Sequence, residues 1–279
     1  MSRVPAADTY TGRGLAPLIS LVRFLVKAGA CAVMLAGYLT GCGEDEPSTQ
    51  FSSSTESGDT TVPERSATLV DSCFEAGSGW RPLDVRADGR RVRAAAIGRG
   101  PAVVFLNQSR NDPCVWMGLA RRLARRGRSA AVFAYASAEA AHEREAAQEA
   151  LAVAQAATNR RFVLIGGSLG GRVVFKVAAG GPRGLEGIVS LSGERRVLNY
   201  RDILPDVRRV TAPVLYVGSR EDPLTDGTRQ PRQVRAALRS RQARFMLVPG
   251  FAHGIELLEG PAGRRVTQAI EQFVGRRLR

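Results

Sequence analysis

The segment RFVLIGGSLGGRVVFKVAAGG, residues 161 to 181, joins two hydrophobic patterns through a serine flanked by glycines. The apolar run from Arg161 to Ile165 is typical of a strand that is buried on both faces. From about Gly170 to Ala179 the apolar residues follow helical spacing instead. The segment therefore predicts a strand, a tight turn at Ser168 and a helix.

The turn itself, residues 166 to 170, has the pattern G-x-S-x-G. A serine on such a turn adopts strained backbone angles that lift its hydroxyl clear of the sheet edge. The helix behind it directs free N–H groups at the same point, where they can stabilise an oxyanion. We therefore predict that Ser168 is a nucleophile. The alternatives are a glycine-rich turn without chemistry and a phosphate-binding loop, although the nucleotide-binding fingerprints G-x-G-x-x-G and G-x-x-x-x-G-K-[ST] are absent.

A nucleophilic serine needs a base, and the chain has only two histidines. His142 lies in AEAAHEREAAQEA, a charged segment typical of a solvated helix face. His253 lies in VPGFAHGIELL, just after the last predicted strand and in a loop with glycines on both sides. The pattern predicts His253 as the base, with a purely structural loop histidine as the alternative.

The base needs an orienting acid, and the loop GSREDPLTD, residues 218 to 226, offers candidates. Asp222 and Glu221 are adjacent and point in different directions, so at most one of them can reach His253. We predict Asp222, with Glu221 left open and Asp226 as a third candidate.

Short β-rich runs alternate with amphipathic stretches along the rest of the chain, which predicts a parallel sheet covered by helices on both faces. RPLDVRADGRRVRAAAIG predicts two strands around the turn Asp88-Gly89. Further strands are predicted at residues 102–106, 130–136, 161–165, 187–191, 213–217 and 244–248, and helices at residues 114–126, 138–158, 170–179 and 261–278. These elements form one α/β domain, residues 70–279.

The chain order Ser168, Asp222, His253 resembles that of the α/β-hydrolase fold family, from about Trp80 to the C-terminus. VPGFAHG resembles the family's histidine loop, and GSREDPL its acid loop. The resemblance implies a mostly parallel sheet of about eight strands with the site above its C-terminal edge. It also implies a serine hydrolase that acts on a small-molecule acyl substrate, by default an ester. An amide hydrolase and a non-catalytic binding protein remain open.

One loop departs from the family pattern, because Asn107-Gln108 stands where the family commonly has His-Gly at the start of the oxyanion loop. Since backbone N–H groups bind the oxyanion, we predict the N–H groups of Gln108 and Leu169 as its donors. Only about 20 residues separate the strand at 187–191 from the next strand, too few for a cap domain, so we expect an open site. Trp116, Met117, Leu191 and Leu198 are candidate walls of that site, with plain core packing as the alternative for each.

The N-terminus predicts export and a lipid anchor. Arg13, Arg23 and Lys27 precede an apolar segment that ends in Leu-Thr-Gly-Cys at Cys42, a pattern that resembles the bacterial lipobox. We expect residues 1–41 to be a signal peptide, Cys42 to carry the lipid, and the protein to face outward from the cell membrane. An uncleaved anchor starting near Leu15 is the alternative, although charges interrupt it.

Residues 42–69 are polar and rich in Ser and Thr, which predicts a disordered tether. Of the four cysteines, Cys31 lies in the predicted signal peptide and Cys42 is the predicted lipidation site. The other two, Cys73 and Cys114, are expected to form a disulfide in an oxidising compartment, with buried free thiols as the alternative.

The net charge of +14 is almost entirely arginine, spread among alanines. No nucleic-acid motif accompanies it, so we expect no nucleic-acid partner. No ligand cluster indicates a metal or cofactor, and the sequence leaves the oligomeric state open.

Overall fold

The computed structural model describes residues 79–109, 113–136, 143–158, 161–197 and 200–279. The predicted signal peptide, the predicted lipidation site Cys42 and the predicted tether lie outside these ranges, as do His142 and Leu198. Cys73 does too, so its pairing with Cys114 stays a prediction. Within the described residues, no helix is both long and apolar enough to cross a membrane.

The predicted sheet is confirmed: eight strands lie in the order β1-β2-β4-β3-β5-β6-β7-β8. The first hairpin and the β2–β4 pair are antiparallel, and the remaining pairs are parallel. The strands are β1 (Trp80–Ala87), β2 (Arg90–Ile97), β3 (Ala102–Leu106), β4 (Ser129–Ala134), β5 (Phe162–Gly167), β6 (Leu185–Leu191), β7 (Val214–Ser219) and β8 (Ala243–Val248).

Helices cover both faces of the sheet and bury a separate apolar cluster on each. The helices α2 to α5 pack on one face, and α1 and α6 pack on the other. They are α1 (Met117–Ala124), α2 (Glu143–Ala157), α3 (Leu169–Ala179), α4 (Leu204–Val207), α5 (Arg229–Ala237) and α6 (Gly263–Arg277). Two 3-10 helices, Pro113–Trp116 and Gly254–Leu258, precede α1 and α6.

Two expectations about individual residues were wrong. Trp116 and Leu191 are fully buried in the core, so neither is a wall of an open site. The Trp116 ring stacks on Phe105 with the centroids 5.1 Å apart, which explains its burial.

Helix α5 was not predicted, because only Pro231 and Val234 are buried along it and so few apolar residues show no helical period.

The turn at Ser168 depends on close contact between backbones. Ser168 has φ 48° and ψ −112°, a left-handed conformation that costs free energy for a residue with a side chain. A Cβ at Gly166 would clash with the backbone of Gly170, and a Cβ at Gly170 would clash with the carbonyl of Leu106 in β3. The two glycines therefore let α3 start directly against the sheet.

We expect Gly170→Ala to destabilise the protein by roughly 2–3 kcal/mol, because the methyl group forces β3 and α3 apart. Gly275→Ala is the matched control, since a Cβ there meets no atom within 4 Å and alanine favours the helix. Thermal unfolding of both variants, followed by circular dichroism, measures the difference. Equal melting temperatures would contradict the close-contact explanation.

Candidate active site

Four neighbouring parallel strands each deliver one polar side chain to the same edge of the sheet. Strands β5, β6, β7 and β8 lie side by side, so the loops after their C-terminal ends converge. Ser168 follows β5, Glu194 follows β6, Asp222 follows β7 and His253 follows β8.

The predicted acid and base are in contact. His253 Nδ1 lies 2.8 Å from Asp222 Oδ2, and the other Asp222 oxygen accepts the N–H of Leu224 at 3.0 Å. Burial acts to raise the pKa of Asp222, but the hydrogen bond and the charge of His253 outweigh burial and lower that pKa below its ordinary value. Asp222 is therefore the charged partner of the imidazole.

The other two acid candidates point elsewhere. The Glu221 carboxylate is exposed and accepts the backbone N–H of Gly250. Asp226 forms an ion pair with Arg229 at 2.9 Å. Of the three candidates, only Asp222 contacts His253.

Ser168 is firmly held, but its hydroxyl contacts a residue that the sequence analysis missed. Its N–H donates to the carbonyl of Leu191 at 2.8 Å, and its own carbonyl accepts the N–H of Arg172 at 3.0 Å. Its Oγ donates to Glu194 Oε1 at 3.0 Å. The same Oε1 lies 3.1 Å from His253 Nε2. One carboxylate oxygen thus contacts both the candidate nucleophile and the candidate base.

Glu194 is buried, with its side chain 5% exposed. Its second oxygen, Oε2, has no hydrogen-bond partner among the described residues, and His253 Nε2 has none either. The contact between Nε2 and Oε1 is therefore an ion pair at short distance without the alignment of a good hydrogen bond.

Two carboxylates thus flank one imidazole. Burial acts to lower the pKa of His253, but the contacts and charges of Asp222 and Glu194 outweigh burial and raise that pKa to about 9. The cationic form is therefore present below pH 9, and the neutral form, which can accept a proton, prevails above it.

The loop that carries Glu194 is fixed by a buried arginine. Arg172 on α3 is 1% exposed and donates to the carbonyls of Glu194 at 2.7 Å and Arg201 at 2.6 Å. Its Nε is paired with Glu143 at 2.6 Å, so its charge is compensated. From the other side, Gln230 Oε1 accepts the N–H of Arg195 at 2.7 Å. These hydrogen bonds to the backbone of the loop therefore determine where Glu194 lies.

The residues in place of His-Gly form their own network. Asn107 Nδ2 donates to the carbonyl of Phe133 at 2.7 Å, and Asn107 Oδ1 accepts the indole N–H of Trp116 at 3.0 Å. Gln108 Oε1 accepts the N–H of Ile255 at 3.1 Å, which ties this loop to the histidine loop. Side-chain contacts thus fix a loop that lacks the glycine.

The two predicted oxyanion donors lie in the loop after β3 and at the start of α3. Gln108 follows β3, the neighbour of β5, and Leu169 is the first residue of α3, where a backbone N–H has no partner within the helix. Their role as donors stays a prediction. Among the described residues, no group of three or more His, Cys, Asp or Glu side chains could hold a metal ion.

Glu194 could have been found from the sequence by one further step. The segment SGE, residues 192–194, follows directly on a buried strand that neighbours the strand before Ser168. Because parallel strands end at one edge, any carboxylate in that position is a candidate for contact with Ser168.

Comparison with known proteins bears on the fold. No protein-family model matches the chain, and no curated protein matches it. Many solved structures do. An esterase from Pyrococcus furiosus has a TM-score of 0.61 at 12% identity, covering 76% of this chain and 94% of that one.

Two further structures are similar. A dienelactone hydrolase from Anabaena variabilis has a TM-score of 0.59 at 18% identity, covering 72% of this chain and 98% of its own. A monoacylglycerol lipase from Paleococcus ferrophilus has a TM-score of 0.58 at 16% identity, covering 66% and 98%. At such identities the likeness concerns architecture alone. Together with the eight-stranded sheet, it shows that this chain has the α/β-hydrolase fold.

Proposed function

We propose that this protein is a serine hydrolase that cleaves an ester through an acyl-enzyme. The observation that carries the proposal is the Asp222–His253 pair at the sheet edge where the strained turn presents Ser168. In the first step, Ser168 Oγ attacks the acyl carbonyl while His253 Nε2 takes its proton. His253 then gives this proton to the leaving alcohol, and water releases the acyl group by the same route. Asp222 orients the imidazole and stabilises its cation.

The backbone supplies the oxyanion hole in this mechanism. The N–H groups of Gln108 and Leu169 would bind the negative charge that develops on the carbonyl oxygen. The first turn of α3 adds the positive end of its helix dipole at the same place. The network around Asn107 and Gln108 favours this assignment, because it holds the loop in one conformation before substrate arrives.

Exposed apolar side chains near the acid and histidine loops favour a substrate with an apolar acyl or alcohol group. Three large hydrophobic side chains are exposed in the described part of the chain: Leu224 and Phe251 on the loops that carry Asp222 and His253, and Val115 in the 3-10 helix that follows β3. Phe251 is 74% exposed and lies two residues before His253. The similar structures named as esterase, lipase and dienelactone hydrolase also favour an ester over an amide.

A non-catalytic binding protein is the second candidate, and the position of Glu194 favours it. With the Ser168 hydroxyl bonded to Glu194 and the imidazole protonated at neutral pH, the serine has no base in the resting state. Reactivity toward an active-site label separates the two candidates.

We expect a fluorophosphonate probe to label the full-length protein at pH 9.5, where a large part of His253 is neutral. Ser168→Ala removes the reacting atom and His253→Ala removes the base, so both variants should lose the label. The readout is in-gel fluorescence, with the fold of each variant checked by circular dichroism. A folded protein that takes no label between pH 7 and 10 would leave the binding protein as the better reading.

We expect Asp222→Asn to lower kcat/KM for an activated ester by about 10³- to 10⁴-fold, because the amide favours the wrong imidazole tautomer. Glu221→Gln is the matched control: it keeps an oxygen for the Gly250 N–H and should stay within about threefold of the native rate. Ester hydrolysis at pH 9.5 measures both. A large loss in the Glu221 variant alone would reverse the assignment of the acid.

We also propose, from the sequence, that the protein is a lipoprotein on the outer face of the cell membrane. The pattern Leu39-Thr40-Gly41-Cys42 after an apolar segment supports it. The Ser/Thr-rich tether would then separate the lipid from the folded domain.

Metabolic labelling with a palmitate analogue in a bacterial host tests the anchor. Cys42→Ser should abolish incorporation, because the thiol is the acceptor of the lipid. Cys31→Ser, in the same apolar segment, should label like the native chain. Loss of label in both variants, or in neither, would contradict lipidation at Cys42.

A further inference from the structure

The contacts of Glu194 exceed what packing of a loop requires. A buried carboxylate with no donor on one oxygen costs free energy, so its place beside two reactive groups calls for an explanation. Arg172 fixes the backbone of its loop through the Glu194 carbonyl, which leaves the side chain free to serve the site.

We propose that Glu194 is a fourth catalytic residue, a second carboxylate that stabilises the imidazolium form of His253 and holds the Ser168 hydroxyl in the resting enzyme. The proposal rests on the proposed serine-hydrolase function and assigns Glu194 a role in it.

The proton transfers balance without a proton on Glu194. When substrate binds, the Ser168 hydroxyl turns from Oε1 toward Nε2, and its proton passes to His253 as Oγ bonds to the acyl carbon. The imidazolium that forms then has Asp222 on Nδ1 and Glu194 on Nε2. It returns the proton to the leaving oxygen, so that Glu194 acts only through its charge.

The charges that face His253 come from two elements. Asp222 lies on the loop after β7 and Glu194 on the loop after β6, and both favour the cation. On the histidine loop itself, Glu256 accepts the backbone N–H of His253 at 3.1 Å. The Tyr216 hydroxyl donates to the carbonyl of Gly193, and burial raises the pKa of this phenol far above the working range. Asp222 and Glu194 therefore determine the charge of the imidazole.

A more basic imidazole has two opposite effects on rate. At pH 7 only about 1% of it is neutral if its pKa is about 9, so little enzyme can start the reaction. Above pH 9 the neutral form prevails and, being a stronger base, takes the serine proton more readily. Glu194 thus makes this site work best in alkaline conditions.

The first test compares pH–rate profiles of the native protein and Glu194→Gln with a neutral activated ester. The variant keeps the size and the acceptor oxygen but removes the charge. We expect the acid limb of kcat/KM to move from about pH 9 toward the ordinary histidine value near 6.5. The rate should rise roughly tenfold or more at pH 7 and fall roughly threefold to tenfold at pH 10, so the two profiles cross.

The second test measures His253 directly by NMR, because the chain has only two histidines. Replacing His142 by Gln leaves one imidazole signal, and Ser168→Ala prevents turnover. In this background, the midpoint of the His253 titration should lie near pH 9 when Glu194 is present. It should lie at least one pH unit lower when Glu194 is replaced by Gln. Glu256→Gln is the matched control: it removes a neighbouring charge that contacts only the backbone, and the midpoint should move far less.

The outcomes separate this proposal from the one on which it rests. A native protein that neither reacts with the fluorophosphonate probe nor hydrolyses the ester at any pH refutes the proposed serine-hydrolase function. A native protein that hydrolyses the ester, with the same acid limb and the same NMR midpoint in Glu194→Gln, refutes the role of Glu194 alone. If Glu194→Gln is slower by one factor at every pH, Glu194 is a packing residue and the proposal is likewise overturned.

Discussion

Backbone-to-backbone contact at the turn after β5 is the constraint on which the site depends. Gly166 lies against Gly170, and Gly170 lies against Leu106 in β3, so three segments meet where no Cβ fits. This contact determines where α3 begins and holds Ser168 in its left-handed conformation. It also fixes Arg172 one turn later, and through Arg172 the loop after β6. The same backbone contacts thus position both Ser168 and Glu194.

Electrostatics then determine what the packed site can do. An imidazole with one carboxylate partner is the ordinary arrangement of a serine hydrolase. Here a second buried carboxylate lies on the opposite nitrogen, and together they overcome the effect of burial on the pKa of His253. The same oxygen also accepts the serine hydroxyl. Ser168, His253 and Glu194 are therefore coupled, and a change in the charge of one alters the state of the others.

The loop with Asn107 and Gln108 shows how one function of a glycine can be replaced. Asn107 is buried and bonded to the ends of β4 and the 3-10 helix before α1, while Gln108 is bonded to the histidine loop. Amide side chains can both donate and accept, so the two of them connect this loop to three other segments. The loop is thereby linked to the elements that carry Trp116 and His253.

The sequence by itself determined the sheet, the turn at Ser168, the choice of His253 and the loop that carries its acid partner, since each follows from local patterns: buried strands, glycines around a serine, few histidines, and carboxylates after a strand. It did not separate Asp222 from Glu221, because adjacent carboxylates differ only in the direction that the folded loop gives them. It also missed Glu194, which lies 26 residues from Ser168 in the chain. Only the tertiary structure decided these points, because contacts between loops depend on which strands are neighbours and on side-chain direction, and neither has a local signature in the sequence.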